Sequence, residues 1–513
     1  MSPDTPAWVK DAVFYQIFPD RFATSARVVK PDHMEAWDAP PTPRGFKGGD
    51  LLGIASRLPE LAELGVNALY LTPIFASASN HRYHTYDYLA VDPLLGGNEA
   101  LRELLDQAHA RGMRVVLDGV FNHTGRGFWP FHHVLENGAA SPYRDWFILD
   151  EAVRAGRRGL DAYPDRERLD EVGHPSGKLG YHAWWNLPAL PKLNLAHPPV
   201  REFLLGVAEH WLRFGIDGWR LDVPDEIDDE SFWQEFRQRC RAADPEAYLV
   251  GEIWEEAPDW LRGDRFDALM NYPLGTAILG FVGGASLDRS VVARHETYRQ
   301  MLSPLDGPAF ARRLADLMTN YDPAVVRSQL NLIGSHDAPR ALTILGGDRA
   351  ALRLATILQM TLPGAPCVYY GDELGMEGDL VPDCRGAYPV DPEAGDREMR
   401  RLFRAAIAIR REHAVFRDGS VRVLATGHGA VAYAVEASDG LAIVAVNAGA
   451  RPERLDLGPV GSTVSEAAEG QLRMVMLPSV AGAGESPARL DREDERWWLE
   501  LPARDAAVLI RHR

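Results

Sequence analysis

The apolar and polar positions along the chain follow one recurring pattern: an amphipathic helix, a glycine, and then a short apolar strand. The first copy runs from LLGIASRLPELAELG into VNALYLTP, with Gly65 at the expected end of the helix. The second runs from NEALRELLDQAHARG into MRVVLDGVFNH, with Asn98 as the expected N-cap and Gly112 as the expected stop. The third runs from PPVREFLLGVAEHWLRFG into IDGWRLDV, and its helix ends at Gly215. Helices that alternate with short, continuously apolar strands predict a parallel sheet covered on both faces.

Five more apolar runs bring the predicted strand count to about eight: Ala12–Ile17, Tyr248–Val250, Phe266–Met270, Gln329–Ile333 and Ala365–Tyr370. Eight such units over roughly 400 residues predict an α/β fold, a (β/α)8 TIM barrel. An irregular stretch after the third strand predicts an inserted subdomain, and short alternating segments later predict an all-β C-terminal domain. The predicted boundaries are 1–122 and 196–418 for the barrel, 123–195 for the insertion, called subdomain B, and 419–513 for a C-terminal β-sandwich.

Composition narrows the classes of function. The chain has 513 residues, 46% of them hydrophobic, and a formal net charge of −18. An acidic surface repels phosphate backbones, so we expect no nucleic acid partner. No apolar run is long enough to span a membrane, and the first residues lack the apolar core of a signal peptide, so we expect a cytoplasmic protein.

Candidate chemistry lies where the predicted strands end. Four acids follow the ends of separate apolar strands: Asp118, Asp222, Glu252 and Asp337. Three basic or imidazole side chains lie close to them in sequence: His123, Arg220 and His336. Because the carboxyl ends of barrel strands meet at one mouth, where barrel active sites are built, we expect these side chains to converge. Carboxylates that face each other cannot all ionise cheaply, so their pKa values are expected to move apart.

The surroundings of two of these acids predict different roles. Arg220 lies two residues before Asp222 on the same strand face, and its guanidinium is expected to keep Asp222 ionised and nucleophilic. Glu252 precedes Ile253 and Trp254, an apolar setting that favours the protonated acid. The pattern predicts cleavage of a glycosidic bond, with Asp222 as nucleophile and Glu252 as general acid and base.

The same segments resemble the four signature regions of the alpha-amylase family, glycoside hydrolase family 13, in the family's order. They are DGVFNH (Asp118–His123), GWRLDV (Gly218–Val223), GEIW (Gly251–Trp254) and GSHD (Gly334–Asp337). The resemblance implies a retaining mechanism through a covalent glycosyl-enzyme, with Asp337 as a third acid that binds sugar hydroxyls. It also implies a supporting set around the sugar at the −1 position: Asp118, His123, Arg220 and His336.

Other segments resemble the neopullulanase, cyclomaltodextrinase and maltogenic amylase group within the family, among them SNHRY (Ser79–Tyr83), LPKLN (Leu190–Asn194) and YYGDELGM (Tyr369–Met376). By that likeness Tyr83 stacks on the −1 glucose and His81 bonds its hydroxyls. Arg385, kept from a motif of that group, is expected to bind substrate. Glu226 is a candidate for the leaving-group or acceptor side, with a solvated acid as the alternative.

The sequence also differs from that group at several positions, and these differences limit which of the group's properties can be expected here. The first predicted barrel strand starts near Ala12, so we expect the group's N-terminal β-domain to be absent, and the oligomeric state stays open. Val381 replaces an acid expected to touch the sugar, with Asp379 and Asp383 as candidate substitutes. Asn122 resembles a calcium ligand of many amylases, but partner ligands are not recognisable in the insertion. We therefore predict no required cofactor and assign no metal ligand, and calcium binding stays an open alternative.

Three tryptophans lie in or beside the insertion: Trp129, Trp184 and Trp185. Sugar platforms and an ordinary subdomain core are both open interpretations of them. The predicted activity is retaining hydrolysis of α-1,4-glucosidic bonds in maltooligosaccharides or cyclomaltodextrins, with α-1,6 cleavage as an additional activity. Three alternatives stay open: a transglycosylase of the same family, a metal-dependent barrel enzyme that uses the same side chains as ligands, and a carbohydrate-binding barrel without catalysis.

Overall fold

The computed structural model describes residues 4–164, 179–438, 440–459, 472–475, 477–480, 482 and 488–511. Residues 165–178 of the predicted insertion and 460–471 and 483–487 of the predicted C-terminal domain lie outside the described residues. The first ten strands are β1 (Phe14–Ile17), β2 (Ala68–Leu71), β3 (Phe75–Ser77), β4 (Thr85–Val91), β5 (Arg114–Gly119), β6 (Gly218–Leu221), β7 (Tyr248–Gly251), β8 (Ala268–Leu269), β9 (Leu330–Leu332) and β10 (Ala365–Tyr369).

Eight of these strands form one parallel sheet in the order β8-β7-β6-β5-β2-β1-β10-β9. Met270, which follows β8, forms a parallel bridge with Leu330 of β9. The amide of Asn271 also donates to the Leu330 carbonyl at 2.8 Å, so the two edges of the sheet meet. The predicted (β/α)8 barrel is confirmed, and its strands are buried along most of their length, as their continuous apolar sequences require.

The helices are α1 (Pro19–Phe22), α2 (Leu51–Leu64), α3 (Gly97–His109), α4 (Trp129–Asn137), α5 (Glu151–Arg154), α6 (Pro198–Phe214), α7 (Glu230–Ala243), α8 (Tyr272–Gly283), α9 (Arg289–Arg294), α10 (Tyr298–Met301), α11 (Gly307–Thr319), α12 (Pro323–Val326), α13 (Ala341–Ile344), α14 (Arg349–Thr361), α15 (Arg397–Glu412) and α16 (Val415–Asp418). Within the described part of the chain, no helix is long and apolar enough to cross a membrane.

The predicted helix ends are partly right. Gly65 and Gly215 close α2 and α6 in the left-handed conformation, with φ of +103° and +114°. The N-cap prediction for Asn98 is wrong, because α3 begins at Gly97 and the Asn98 side chain accepts a hydrogen bond from the Val91 amide at 2.8 Å. The helix proper ends at His109, and Gly112 closes the last turn as predicted: its φ is +69°, its amide donates to the His109 carbonyl, and the Met113 amide donates to the Ala108 carbonyl, both at 2.9 Å.

Two connections carry extra structure above the barrel. The antiparallel hairpin β3–β4, which the sequence analysis does not predict, lies between β2 and α3. The long connection from β5 to α6 contains α4, α5 and isolated antiparallel bridges, including His123 with Lys192. This connection follows the third barrel strand, where the insertion is predicted. The boundaries given above stay predictions.

The C-terminal strands are β11 (Ser420–Thr426), β12 (Ala430–Ala437), β13 (Gly440–Asn447), β14 (Glu453–Pro459), β15 (Leu472–Val475), β16 (Arg489–Glu493), β17 (Arg496–Leu501) and β18 (Asp505–Arg511). They form two antiparallel sheets, in the orders β11-β12-β13-β18-β15 and β14-β17-β16. One face of the larger sheet packs toward the smaller one through residues such as Ala432 and Leu499. Its other face packs on the barrel, where the Tyr433 hydroxyl meets Thr361 Oγ1 at 2.7 Å. The all-β C-terminal architecture is confirmed.

Candidate active site

Three of the four predicted acids converge on one guanidinium at the mouth of the barrel. Arg220 of β6 lies opposite Asp118 of β5 in the strand register. Its Nη1 lies 2.9 Å from Asp118 Oδ1 and 3.0 Å from Asp222 Oδ1, and its Nη2 lies 2.8 Å from Glu252 Oε2. All four side chains are buried. One guanidinium therefore forms ion pairs with three buried carboxyl groups.

Burial and this shared cation act in opposite directions on the pKa values of Asp222 and Glu252, the two acids that are expected to carry out the reaction. Burial raises the pKa of Asp222 well above its usual value, and burial raises the pKa of Glu252 to about 7, with Arg220 opposing both shifts. Arg220 contacts both acids, and the expectation that it keeps Asp222 ionised stays a prediction. The geometry of the two contacts differs. Arg220 makes a hydrogen bond to Asp222, whereas its close contact with Glu252 lacks hydrogen-bond geometry. The hydrogen bond from Arg220 therefore favours the ionised form of Asp222, whereas burial raises the pKa of both acids.

Glu252 lies in the aromatic setting that its neighbours in sequence predict. Trp254 Nε1 donates to Glu252 Oε1 at 3.2 Å, and the Val223 amide donates to Oε2 at 3.3 Å. Trp254 itself stacks on Tyr272, with ring centroids 3.6 Å apart and planes at 10°. Val223 follows Asp222 with a left-handed φ of +36°, a conformation that is unusual for a β-branched residue. The carboxyl group is thus held at both oxygens.

Asp337, the fourth predicted acid, contacts a separate set of side chains, and we call Asp337, His336 and Arg385 the Asp337 corner. His336 Nε2 lies 3.0 Å from its Oδ2, and Arg385 Nη2 donates to its Oδ1 at 3.0 Å. Burial alone raises the pKa of Asp337, but His336 and Arg385 outweigh burial and leave the pKa well below its usual value. Arg385 was predicted to bind substrate directly. The structure places it as a partner of Asp337 and of the His336 carbonyl, which its Nε reaches at 2.8 Å.

Tyr83 connects this corner to the carboxylate cluster. Its hydroxyl donates to Asp118 Oδ2 at 2.9 Å and lies 2.5 Å from His336 Nε2. Gln16 Nε2 lies 2.7 Å from His336 Nδ1, so Nδ1 is the acceptor and the proton is on Nε2. Burial lowers the pKa of His336, which keeps this ring neutral. His81 supports Tyr83, since its Nδ1 accepts from the Tyr83 amide at 3.2 Å.

The other two predicted residues lie on the side of the insertion. His123 is buried, and burial lowers its pKa to about 3, so the ring is neutral. Its backbone pairs with Lys192, and Lys192 Nζ holds Glu226 Oε2 at 3.0 Å. Glu226 is largely exposed and belongs to this ion pair and not to the carboxylate cluster. Its proposed acceptor role stays a prediction.

Several buried polar atoms around the mouth have no hydrogen-bond partner in the protein: Asp222 Oδ2, His123 Nε2, Asn122 Oδ1 and Trp184 Nε1. Buried polar groups are nearly always paired, so these atoms have capacity for hydrogen bonds with water or with a ligand. No group of three or more His, Cys, Asp or Glu side chains suited to a metal occurs among the residues that the structure describes.

Residues 16–417 match the alpha-amylase family, described as alpha amylase, catalytic domain. The chain belongs to the alpha-amylase family. A cyclomaltodextrinase of Geobacillus thermopakistaniensis is 44% identical over 422 residues, which cover 82% of this chain and 65% of that protein. This chain thus spans less than two thirds of the length of that relative.

Two solved structures are similar along almost the whole chain. Ttha1563 of Thermus thermophilus is 47% identical with a TM-score of 0.86, and the match covers 99% of this chain and 100% of that one. The native debranching enzyme of Nostoc punctiforme is 41% identical with a TM-score of 0.84, and the coverage is the same. The predicted family and the predicted resemblance to the cyclomaltodextrinase group are confirmed.

Two site residues of this alpha-amylase family member were missed by sequence reasoning. Gln16 sets the tautomer of His336, and Tyr70 donates to Asp118 Oδ2 at 2.7 Å. Each is a polar group inside an otherwise apolar barrel strand, FYQI or ALYL. That contrast is the signal that could have identified them, because a polar side chain on a buried strand needs a partner.

The suggested substitutes for the acid missing at Val381 are both engaged elsewhere. Asp379 forms an ion pair with Arg294, and Asp383 accepts from the Asp379 amide at 2.7 Å. Val381 itself is 45% exposed. In this member of the family, the loop before Arg385 therefore offers an apolar side chain where an acid was expected.

Proposed function

We propose that this protein is a retaining glycoside hydrolase that cleaves α-1,4-glucosidic bonds in maltooligosaccharides or cyclomaltodextrins. The observation that carries the proposal is the pair Asp222 and Glu252 on one guanidinium, with the pKa of Glu252 raised to about 7. Such a pair offers an anionic nucleophile and a protonated acid at neutral pH. Similarity to the Geobacillus cyclomaltodextrinase supports the choice of substrate.

In the first half of the proposed reaction, Asp222 attacks the anomeric carbon of the −1 glucose. The carbon–oxygen bond to the leaving sugar breaks, an ester to Asp222 forms, and the proton of Glu252 moves to the leaving oxygen. The unpartnered Asp222 Oδ2 is the atom free to attack, because Oδ1 is held by Arg220. Arg220 remains beside both acids and stabilises the charge that moves between them.

In the second half, the ionised Glu252 takes a proton from water as the water oxygen attacks the anomeric carbon. The ester breaks, Asp222 leaves as a carboxylate, and Glu252 is protonated again. Asp337, kept ionised by Arg385 and His336, would accept hydrogen bonds from the hydroxyl groups of the −1 sugar. Neutral His123, with its free Nε2, would bond another hydroxyl.

A product profile tests the proposal. Wild-type enzyme at low substrate concentration should release maltose and glucose from maltotriose and open cyclomaltodextrins. Activity should persist after exhaustive chelation, since no step uses a metal. Mainly elongated products would instead assign a transglycosylase, loss of activity on chelation would assign a metal-dependent enzyme, and binding without turnover would assign a carbohydrate-binding barrel.

Cleavage of α-1,6 bonds is a second candidate activity, favoured by the 41% identity to the Nostoc debranching enzyme. Comparison of panose with maltotriose tests it directly, because panose carries one α-1,6 and one α-1,4 bond. Release of maltose and glucose from panose supports α-1,6 cleavage, whereas isomaltose as the sole disaccharide assigns the α-1,4 bond alone. The cytoplasmic location stays a prediction that fractionation of the native cell would check.

A further inference from the structure

Trp185 lies in the insertion and has no part in the proposed reaction. Its side chain is 71% exposed, although indoles gain much from burial. Its backbone is left-handed, with φ of 51° and ψ of 24°, and the next residue, Asn186, has a φ of 56°. A bulky residue adopts this conformation rarely, and such outliers cluster at functional sites where the surrounding structure holds them. The fold therefore holds an indole in solvent in an unfavourable backbone conformation.

Trp185 is the outermost of three stacked rings that begin at the barrel mouth. Its ring centroid lies 4.4 Å from that of Trp184, with planes 11° apart. Trp184 in turn lies 4.9 Å from His123, with planes 8° apart. His123 follows β5 and is buried at the mouth, so the stack leads from the candidate active site to solvent. Trp184 covers the inner face of Trp185 and leaves the outer face open.

The stack lies on the nucleophile's side of the mouth. The backbone of His123 pairs with Lys192, whose Nζ holds both the carbonyl and Oε2 of Glu226 at 3.0 Å. Glu226 lies in the turn that immediately follows Asp222. A glucan chain that leaves the acids on this side would therefore meet the stack.

The open face of Trp185 is chemically suited to a sugar. A glucose ring presents an apolar face of C–H groups, and a flat aromatic surface covers such a face at low conformational cost, because an indole has only two side-chain torsions. Ordinary core packing does not explain Trp185, since the ring is mostly in water. The strained backbone shows that exposure is imposed by the fold and is not a consequence of a loose loop.

We propose that the outer face of Trp185 binds one glucose unit of an α-glucan, remote from the bond that is cleaved. This inference rests on the proposed function for the identity of the substrate, and it adds a preference for longer chains. Maltoheptaose would reach both the acids and Trp185, whereas maltotriose would occupy the acids alone.

Steady-state kinetics on these two substrates test the inference. Trp185→Ala should lower kcat/KM for maltoheptaose about five- to tenfold, mainly through KM, because one ring contact is lost. It should leave maltotriose within about twofold. Trp185→Tyr, which keeps a flat ring, should recover most of the lost activity on maltoheptaose.

Trp129→Ala is the matched control. Trp129 is 61% exposed and also lies in the insertion, but its ring is tilted to His132 and edge-on to His133 and is not part of the stack that begins at His123. It should change neither substrate. Equal losses on both substrates for Trp185→Ala would assign Trp185 to folding and overturn the inference, as would full activity on maltoheptaose or failure of tyrosine to rescue.

Binding measured without turnover separates this inference from the proposed function. Asp222→Asn protein should bind maltoheptaose more tightly than maltotriose by titration calorimetry, and Asp222→Asn with Trp185→Ala should lose that difference. If wild-type protein binds but fails to hydrolyse α-1,4 bonds, the proposed function fails while the length preference still tests Trp185. If the length preference persists without Trp185, the inference fails whatever the wild-type protein hydrolyses.

Discussion

Glu252 and Asp337 are acids at the same barrel mouth, yet their surroundings push their pKa values in opposite directions. Asp337 has Arg385 and His336 to itself, and its pKa lies well below the usual value. Glu252 shares Arg220 with two other carboxyl groups, and its pKa rises to about 7. Glu252 is buried and Asp337 is half-buried, and burial raises the pKa of both, so burial alone does not decide the outcome.

At these two places, the number of cations per carboxyl group accounts for the opposite pKa shifts. One guanidinium cannot offset three buried negative charges, so a proton stays at the cluster around Arg220. A carboxylate with its own guanidinium stays ionised and can only accept hydrogen bonds. The cluster around Arg220 is thus suited to moving a proton, and the Asp337 corner to holding a sugar.

Asp222→Asn should give the largest loss. An amide oxygen is a poor nucleophile, so turnover of maltotriose should fall by roughly 10⁴-fold or more. Thermal unfolding and circular dichroism should match wild type, because asparagine has the same shape. Near-normal turnover in a folded Asp222→Asn protein would assign the nucleophile elsewhere.

Glu252→Gln should lower turnover of maltotriose by roughly 10²–10⁴-fold, the range of general acid catalysis. The loss in kcat/KM should be much smaller for a nitrophenyl α-maltoside than for maltotriose, because kcat/KM reports the first step and nitrophenolate leaves in that step without a proton. Initial rates on the two substrates give the comparison. Equal losses on both substrates would argue against a proton donor at Glu252.

Arg385→Ala should weaken the Asp337 corner. Without the Arg385 guanidinium, the pKa of Asp337 should rise and Asp337 should bind the sugar less tightly. We therefore expect kcat/KM to fall roughly 10²-fold, which corresponds to about 3 kcal/mol of lost transition-state stabilisation. The pH profile of kcat/KM should gain a new acidic limb as Asp337 protonates. Arg385→Lys, which keeps the charge, should retain more activity than alanine, and identical kinetics for the two variants would contradict this account of the corner.

The pH profile of wild type should show a basic limb. Activity requires protonated Glu252, so kcat/KM should fall as pH rises through about 7. Asp118→Asn removes one negative charge beside Arg220 and should therefore move this limb to lower pH. If the basic limb of the kcat/KM profile lies at the same pH in a folded Asp118→Asn protein, the carboxyl groups that share Arg220 do not determine the pKa of Glu252.

Tyr83→Phe should give the smallest effect, a loss of about tenfold in kcat/KM, since one hydroxyl that connects Asp118 and His336 disappears. The loss should appear equally for short and long substrates, unlike the loss expected for Trp185→Ala. Steady-state kinetics on maltotriose and maltoheptaose check both statements. Unchanged kcat/KM would show that the hydroxyl is dispensable.

Sequence reasoning predicted the barrel because helix and strand periodicities are local properties of the chain. It also found the four acids, since each follows a strand end and barrel strands share one mouth. It missed the hairpin β3–β4, whose first strand has only three residues, FAS. The pairing of Arg385 with Asp337 and of Gln16 with His336 joins residues 48 and 320 positions apart, and no local pattern encodes such contacts.

In the proposed reaction, Asp222 forms a covalent bond to the sugar while Glu252 carries the proton. Glu252→Gln protein incubated with a fluorinated α-glycosyl fluoride should accumulate the glycosyl-enzyme, because a fluoride leaves without a proton and the water step lacks its base. Mass spectrometry of the digested protein should find the ester in the peptide that contains Asp222. An ester on any other carboxyl group, or turnover at a wild-type rate without a covalent adduct, would contradict the account.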